Sequence, residues 1–194
     1  MNNMKYFSNF IGKTIDIDPN TDQRGIASEI EKISSNYLIE NFNAISASSV
    51  RSIEDVKINN IHIDIKAQDI NRRFSMPNLI SIDRLRRNKG KLISKEMIIR
   101  YVFFKYSKTE NIIKITDVNE FNIQEIQWES LQISNLGLGQ LQIKYAKKDI
   151  ILNPDNLIED WFDNLHDEAE QFFSKQIIKF KNLQREWREY GYDR

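Results

Sequence analysis

A short apolar segment carries an acidic and a basic side chain two residues apart. Residues 61–67, Ile-His-Ile-Asp-Ile-Lys-Ala, alternate isoleucine with polar residues, which is typical of a half-buried β-strand. Because side chains alternate across a strand, Asp64 and Lys66 should share one face with His62. A second acid, Asp55, precedes this segment. Two neighbouring carboxylates repel each other unless a cation binds between them, and their oxygen atoms suit Mg²⁺. With a lysine beside them, they indicate metal-dependent phosphodiester hydrolysis.

The same residues also have a simpler interpretation. A surface hairpin can carry an Asp–Lys pair from strand to strand, and such an exposed pair contributes little to stability. An acid followed at some distance by Asp-x-Lys is a weak signal when it stands alone. The spacing by itself leaves both a hydrolytic site and a surface ion pair open.

Basic residues are concentrated in one part of a chain that has no net charge. Lys plus Arg and Asp plus Glu each number 28, but the only acids between Lys66 and Lys95 are Asp69 and Asp83. A basic segment is the expected footprint of contacts to nucleic-acid phosphates, although a solvated helix face has the same composition. The basic residues of the segment are Lys66, Arg72, Arg73, Arg84, Arg86, Arg87, Lys89, Lys91 and Lys95.

Hydrophobic periodicity predicts an α/β or α+β domain that covers residues 1–194 as a single unit. Strands with a tight turn at Asn59-Asn60 form a hairpin, and Pro77 stands at the expected start of a short helix. The predicted helices are 22–43, 77–88 and a long one at about 156–190; the predicted strands are 52–58, 61–67, 97–106, 111–118 and one that follows a glycine-containing bend within 136–146.

The long C-terminal helix has acids near its start and bases near its end, which complements the helix dipole. At about 1.5 Å per residue it would reach roughly 50 Å. That length exceeds what a domain of this size needs, so we expect part of the helix to contribute to a dimer. Its apolar stripe consists of Leu157, Trp161, Leu165, Phe172, Ile177, Phe180, Leu183 and Trp187.

Composition excludes several classes of protein. The chain has no cysteine, so disulfides, thiolate zinc sites and cysteine nucleophiles are ruled out. No apolar run approaches the roughly 18 residues that a membrane span requires. The first ten residues lack the charged-then-apolar pattern of a signal peptide. We therefore expect a cytoplasmic protein without a membrane partner.

Two motifs in register give a more specific signal. Asp64-Ile65-Lys66 is followed, through a basic and polar stretch, by Pro77-Asn78-Leu79-Ile80-Ser81. This arrangement resembles the active-site segment of the type II restriction endonucleases near HincII, in the PD-(D/E)xK nuclease superfamily that also contains EcoRV. Looser similarity covers residues 31–42, 136–145 and 158–173. The resemblance implies a restriction-endonuclease-like core, a central mixed β-sheet flanked by helices, with a long C-terminal helix.

The resemblance also assigns roles to individual residues. Asp55, Asp64 and the Ile65 carbonyl would bind Mg²⁺, and Lys66 would be the catalytic lysine. Glu54 is the alternative to Asp55 as the first metal-binding acid. An assisting glutamate on the upstream helix would be Glu31, with Glu29 as the alternative.

Residues beyond the strand would contact DNA. Asn78 would lie near a base edge, where an amide can form paired hydrogen bonds; a helix cap is the alternative role. Gln140 shares a strand face with Gln142, and the pair is either structural or DNA-reading. The implied DNA-binding residues are Asn78, Ser75, Met76, Arg72, Arg73 and Gln140.

The expected function is therefore that of a bacterial type II restriction endonuclease. It would act as a homodimer on double-stranded DNA, cut a short palindromic site and leave 5′-phosphate ends. A cognate DNA methyltransferase would act separately on the same site. Two alternatives remain: a repair or junction nuclease of the same superfamily, and a non-catalytic DNA-binding protein.

Overall fold

The computed structural model describes residues 5–47, 49, 52–71, 77–144 and 150–192. Within these ranges the chain forms nine β-strands and three α-helices. The strands are β1 (Thr14–Asp16), β2 (Ile45–Ser46), β3 (Val56–Ile58), β4 (Ile61–Asp69), β5 (Asn78–Ser81), β6 (Ile98–Thr109), β7 (Ile112–Asn122), β8 (Leu131–Ser134) and β9 (Gln140–Ile143). The helices are α1 (Gln23–Phe42), α2 (Ile82–Ile93) and α3 (Ile158–Tyr192).

Six of the strands form a central mixed sheet in the order β1-β7-β6-β4-β3-β2. Only the β4–β6 pair is parallel; the other neighbours run antiparallel. A smaller antiparallel sheet has the order β5-β9-β8. The mixed sheet, its flanking helices and the long C-terminal helix confirm the fold class expected from the sequence.

The central sheet separates two hydrophobic cores. On one face, Ile26, Ile30 and Leu38 of α1 pack in the same cluster as Ile63 and Ile65 of β4. The other cluster includes side chains of β6, α2, α3 and the small sheet. Strand β4 therefore presents its isoleucines to α1 and its polar side chains to the opposite side, as its alternating sequence predicts.

The β3–β4 hairpin has the predicted turn at Asn59-Asn60, and Asn59 adopts the left-handed conformation with φ 52°. Asparagine tolerates this conformation better than most residues because its short polar side chain can hydrogen-bond locally. The first strand is shorter than predicted. It begins at Val56 rather than at residue 52, so Asp55 lies immediately before β3.

The helix predicted for residues 77–88 is wrong at its N-terminal end. Asn78–Ser81 form strand β5, which pairs with β9, and α2 begins at Ile82. Ser81 is the N-cap of α2, because its Oγ accepts a hydrogen bond from Arg84 N at 3.3 Å. The apolar Leu79 and Ile80 are buried in the sheet, and this burial outweighs the helical spacing of the sequence.

Helix α3 is anchored through its first turns. Trp161 is fully buried, and its Nε1 donates to Ile126 O at 3.1 Å. Leu165 is buried beside it, so Trp161 and Leu165 confirm their predicted places in the stripe, and Phe162, which the prediction left out, is buried with them. Leu157 was wrongly included: it precedes α3 and is 61% exposed. Among the described residues, no helix is long and apolar enough to cross a membrane.

Candidate active site

Strand β4 places an acidic and a basic side chain against each other. Lys66 Nζ donates to Asp64 Oδ1 at 2.8 Å and lies 2.7 Å from Oδ2. Asp64 is buried, while the Lys66 side chain keeps 29% of its exposure. Burial raises the pKa of Asp64 to about 7; Lys66 opposes the shift and Asp55 adds to it. The buried carboxylate thus has a much reduced tendency to ionise.

Asp55 reaches the same place from the start of the neighbouring strand. Its Oδ2 accepts from Ile65 N at 2.6 Å, and its own backbone N donates to Ile63 O at 2.9 Å. Within a strand, the N–H and C=O of one residue point to the same edge. The Ile65 carbonyl therefore faces the edge that Asp55 occupies.

Helix α1 contributes a third carboxylate. Glu31 lies close enough to Asp55 and Lys66 for both to influence its ionisation. Burial first, and the charge of Asp55 second, raise the pKa of Glu31. Glu29 lies two residues earlier, about 200° around the helix, so the structure brings Glu31 and not Glu29 to the site.

Glu54 is occupied elsewhere. Its Oε2 lies 3.0 Å from His62 Nδ1, and both side chains are mostly buried. Asp55, by contrast, interacts with both Asp64 and Glu31. Of the two acids considered for the first metal-binding position, Asp55 is the one that faces Asp64.

The donor set fits a hard divalent cation. Both carboxylate oxygens of Asp64 lie against the single ammonium of Lys66, at 2.8 Å from Oδ1 and 2.7 Å from Oδ2. Three carboxylates share this one lysine, so a divalent cation would relieve their mutual repulsion. Among the described residues no three His, Cys, Asp or Glu side chains form a closed metal cluster. A site of two carboxylates and the Ile65 carbonyl needs no third side chain.

Tyr101 forms the floor behind Asp64 on the adjacent strand. It pairs with Asp64 in the parallel β4–β6 register and is fully buried. Burial and the nearby Asp64 raise its pKa above the usual range. Tyr101 therefore stays neutral and adds no charge to the site.

The small sheet presents a row of amides. Asn78 is exposed in β5, and its Oδ1 accepts from Gln142 Nε2 at 2.5 Å. Gln142 is buried and its Oε1 accepts from Gln132 Nε2 at 3.3 Å. Gln140 pairs with Ser81 in the same sheet and is partly buried. A helix-cap role for Asn78 is excluded, because Asn78 lies in a strand and Ser81 caps α2.

Three arginines of the basic segment lie on α2 and have partners within the described part of the chain. Arg86 and Arg87 pair with Asp83 on the exposed side of α2, at 3.0 and 2.7 Å, and hydrogen bonding by Arg86 lowers the pKa of Asp83. Arg84 donates to Ser52 O at 3.1 Å. These residues match the interpretation as a solvated helix face. Four predicted DNA-binding residues lie outside the described ranges: Arg72, Arg73, Ser75 and Met76.

Sequence reasoning missed two features around the site. The Glu54–His62 pair and the Asn78–Gln142–Gln132 chain both depend on contacts between separate strands. The first had a usable signal, since an acid and a histidine flank the predicted hairpin turn. The second requires the pairing of β5 with β9, which the local sequence does not encode.

Comparison with known proteins is informative about the fold. No protein-family model matches the chain, and no curated protein does. Among solved structures it is similar to the NlaIV restriction endonuclease, with a TM-score of 0.52 and 10% identity, over 74% of this chain and 68% of that chain. This likeness supports a nuclease-like fold without pointing to the HincII branch. The chain therefore has a restriction-endonuclease-like fold. Its cluster of four ionisable side chains lies around β4 and the start of β3 and consists of Glu31, Asp55, Asp64 and Lys66.

Proposed function

We propose that this protein is a Mg²⁺-dependent endonuclease of the type II restriction class, which hydrolyses phosphodiester bonds of double-stranded DNA. The observation that carries the proposal is the convergence of Glu31, Asp55, Asp64 and Lys66 around β4. The similarity of the fold to a restriction endonuclease supports it. The two observations are independent, since the likeness concerns the backbone and the convergence concerns the side chains.

Each clustered residue has a task in this reaction. Asp55, Asp64 and the Ile65 carbonyl would hold Mg²⁺, whose Lewis acidity polarises the phosphoryl oxygen and makes water a stronger nucleophile. Lys66 is exposed enough to reach a phosphate, and its ammonium stabilises the charge that develops on the phosphoryl oxygens. Glu31 lies beside Asp55 and would assist the metal site as a third nearby carboxylate.

The products follow from the direction of attack. Water attacks phosphorus in line with the 3′ oxygen, the P–O3′ bond breaks, and the leaving oxygen takes up a proton. The cut strand then carries a 5′-phosphate and a 3′-hydroxyl. The aspartates remain chemically unchanged, so the reaction needs no covalent intermediate.

DNA recognition belongs to the same proposal. A homodimer with two-fold symmetry would read a short palindromic site, because the symmetry of protein and sequence coincide. Asn78 and Gln140 lie on the small sheet, where amide side chains could contact base edges. Arg72, Arg73, Ser75 and Met76, which stand between β4 and β5 in the sequence, are the other proposed DNA-binding residues. A separate DNA methyltransferase would protect the host site.

The test is cleavage of several unmethylated plasmids by the pure protein with Mg²⁺, followed by sequencing of the fragment ends. Discrete fragments with a common end sequence and 5′-phosphates are expected. Lys66→Ala should reduce the rate by about 10²–10³-fold, the cost of removing one charge-stabilising donor. Lys57→Ala is the matched control, because Lys57 is also a partly buried lysine of the β3–β4 hairpin.

The alternatives give different results in the same assay. A repair or junction nuclease would prefer damaged or branched duplexes over intact plasmid. A non-catalytic DNA-binding protein would bind DNA equally well with Asp64→Ala or Lys66→Ala and would never cut with any divalent metal. Equal rates for the Lys66 and Lys57 variants would exclude the proposed role of Lys66.

A further inference from the structure

We propose that two copies of this chain associate through the C-terminal half of α3, with the two helices antiparallel. We call residues 173–190 of α3 the arm. The inference rests on the proposed function in one respect, since that function requires a two-fold dimer, and it adds the surface and orientation that form it. It stands on the charges and apolar surface of α3, and it can be tested without DNA or metal.

The arm exposes a continuous apolar stripe. Trp187 is 78% exposed and Tyr190 is 84% exposed, values that are unusual for aromatic side chains of this size. Three- and four-residue spacing places the exposed residues on one helix face. A contiguous exposed apolar patch of this kind marks an interaction surface. Its members are Phe173, Ile177, Phe180, Leu183, Trp187 and Tyr190.

The exposed stripe continues the helix face by which the N-terminal part of α3 packs against the rest of the domain. Phe162 and Leu165 lie at the same angular position along the helix, and both are buried. Within the described part of the chain, the last side-chain hydrogen bond from α3 to the body is from Gln176 Nε2 to Asn135 Oδ1, at 2.6 Å. Beyond that point the same apolar face continues, and none of the described segments of its own chain covers it.

Charge selects a second, antiparallel copy of α3 as the cover. Residues 158–172 contain acids but no Lys or Arg, whereas residues 174–190 contain five bases and two acids. Antiparallel helices that overlap over residues 167–190 place Arg185 and Arg188 of each copy near Asp167, Glu168 and Glu170 of the other, while parallel helices would place like charges together along the whole overlap. The acids are Glu159, Asp160, Asp163, Asp167, Glu168 and Glu170; the bases are Lys175, Lys179, Lys181, Arg185 and Arg188.

A groove beside α3 provides the seat for the end of the partner arm. It has a volume of about 380 Å³ and lies between α2 and α3. If the two-fold axis passes at the level of residues 177–180, Trp187 of the partner subunit reaches Ala169 in the groove, and Arg188 of the partner subunit reaches Glu170. One chain thus carries both the groove and the aromatic anchor that fills it. The apolar lining includes Ile82, Phe162, Leu165, Ala169 and Phe173.

The first test is the oligomeric state of the full chain by sedimentation, without DNA or metal. A concentration-dependent dimer is expected. Ile177→Lys should weaken it by about 100-fold, because it places a charge in the buried stripe. Ile178→Lys is the matched control: both isoleucines are more than half exposed, but Ile178 lies outside the stripe and should leave the dimer unchanged. Circular dichroism checks that both variants keep their helix.

The second test fixes the orientation, using the absence of native cysteine. A mixture of Arg188→Cys and Glu170→Cys proteins should form a disulfide-linked heterodimer on oxidation, while Arg188→Cys alone should give little product. Efficient self-crosslinking of Arg188→Cys would indicate parallel helices and overturn the proposal. The dimer should also weaken as salt is raised, since the paired charges are exposed.

The outcomes separate this inference from the proposed function. A monomer at all concentrations, or equal effects of the two isoleucine variants, would overturn the α3 dimer. If such a monomeric protein still cut DNA, the proposed nuclease activity would stand. A dimer that satisfies both tests but never cuts DNA would support the interface and refute the nuclease.

Discussion

Replacing Asp64 with Asn should change how the stability of the metal-free protein depends on pH. The pKa of Asp64 is raised from 3.8 to about 7 in the folded state, chiefly by burial. Between these values the folded protein holds a proton that the unfolded chain has released. The free energy of unfolding then falls by 1.36 kcal/mol per pH unit. The loss of unfolding free energy caused by Asp64 is absent below pH 4, grows as pH rises, and levels off above pH 7 at about 4 kcal/mol.

The measurement is urea denaturation of both proteins in EDTA at pH 5 and pH 8. Between pH 5 and pH 8, about two pH units lie below the raised pKa of Asp64. The free energy of unfolding of wild type should therefore fall by about 3 kcal/mol relative to that of Asp64→Asn. Any difference in stability between wild type and Asp64→Asn that does not depend on pH cancels when the values at pH 5 and pH 8 are subtracted. Asp83→Asn is a suitable control, because the pKa of exposed Asp83 is lowered and Asp83 stays ionised throughout the interval.

Two results would refute this reasoning. One is an equal stability difference between wild type and Asp64→Asn at both pH values, which would mean that Asp64 ionises normally in the fold. The other is a wild-type protein that gains stability over the variant as pH rises. That sign would show that Lys66 stabilises the carboxylate by more than burial penalises it.

Three further predictions concern the metal and the core. At pH 8, Mg²⁺ should raise the melting temperature of wild type but not of Asp64→Asn, as measured by calorimetry, because the ion favours the charged carboxylate. Gly139→Ala should lower the free energy of unfolding by about 1–3 kcal/mol in denaturant titrations. Gly139 has φ +108°, and an added Cβ would lie 2.6 Å from Ile82 Cδ1. Gly137→Ala should lower it by less, because nothing lies within 4 Å of the added Cβ. Trp161→Ala should cost about 3–5 kcal/mol in the same titrations, because it leaves a large cavity.

The features that the sequence predicted well are local ones. The alternation in residues 61–67 is enough to place Ile63 and Ile65 in the core and Asp64 and Lys66 on the other face. The turn at Asn59 depends on the conformational preference of that residue alone. Strand β4 and the hairpin could therefore be read without knowledge of the rest of the chain.

The features that it missed depend on contacts between distant segments. Leu79, Ile82 and Leu85 have helical spacing, yet Leu79 lies in strand β5. It does so because β5 pairs with β9, a strand that begins more than 50 residues later in the chain. The choice between Glu29 and Glu31 needs the rotation of α1 relative to the sheet, which no local pattern encodes. Tertiary packing decides both.

The clustered carboxylates have a consequence for how the site binds a cation. Burial and neighbouring negative charge raise the pKa values of Glu31 and Asp64, so protonation relieves the repulsion in the cluster when no metal is bound. If the proposed function is correct, a proton and Mg²⁺ would compete for Asp64. The isoleucines on the opposite face of β4 hold the strand in place regardless of this competition, because they are buried against α1. We therefore expect the fold to keep the site assembled in both states, and the charge state of Asp64 to be what changes between them.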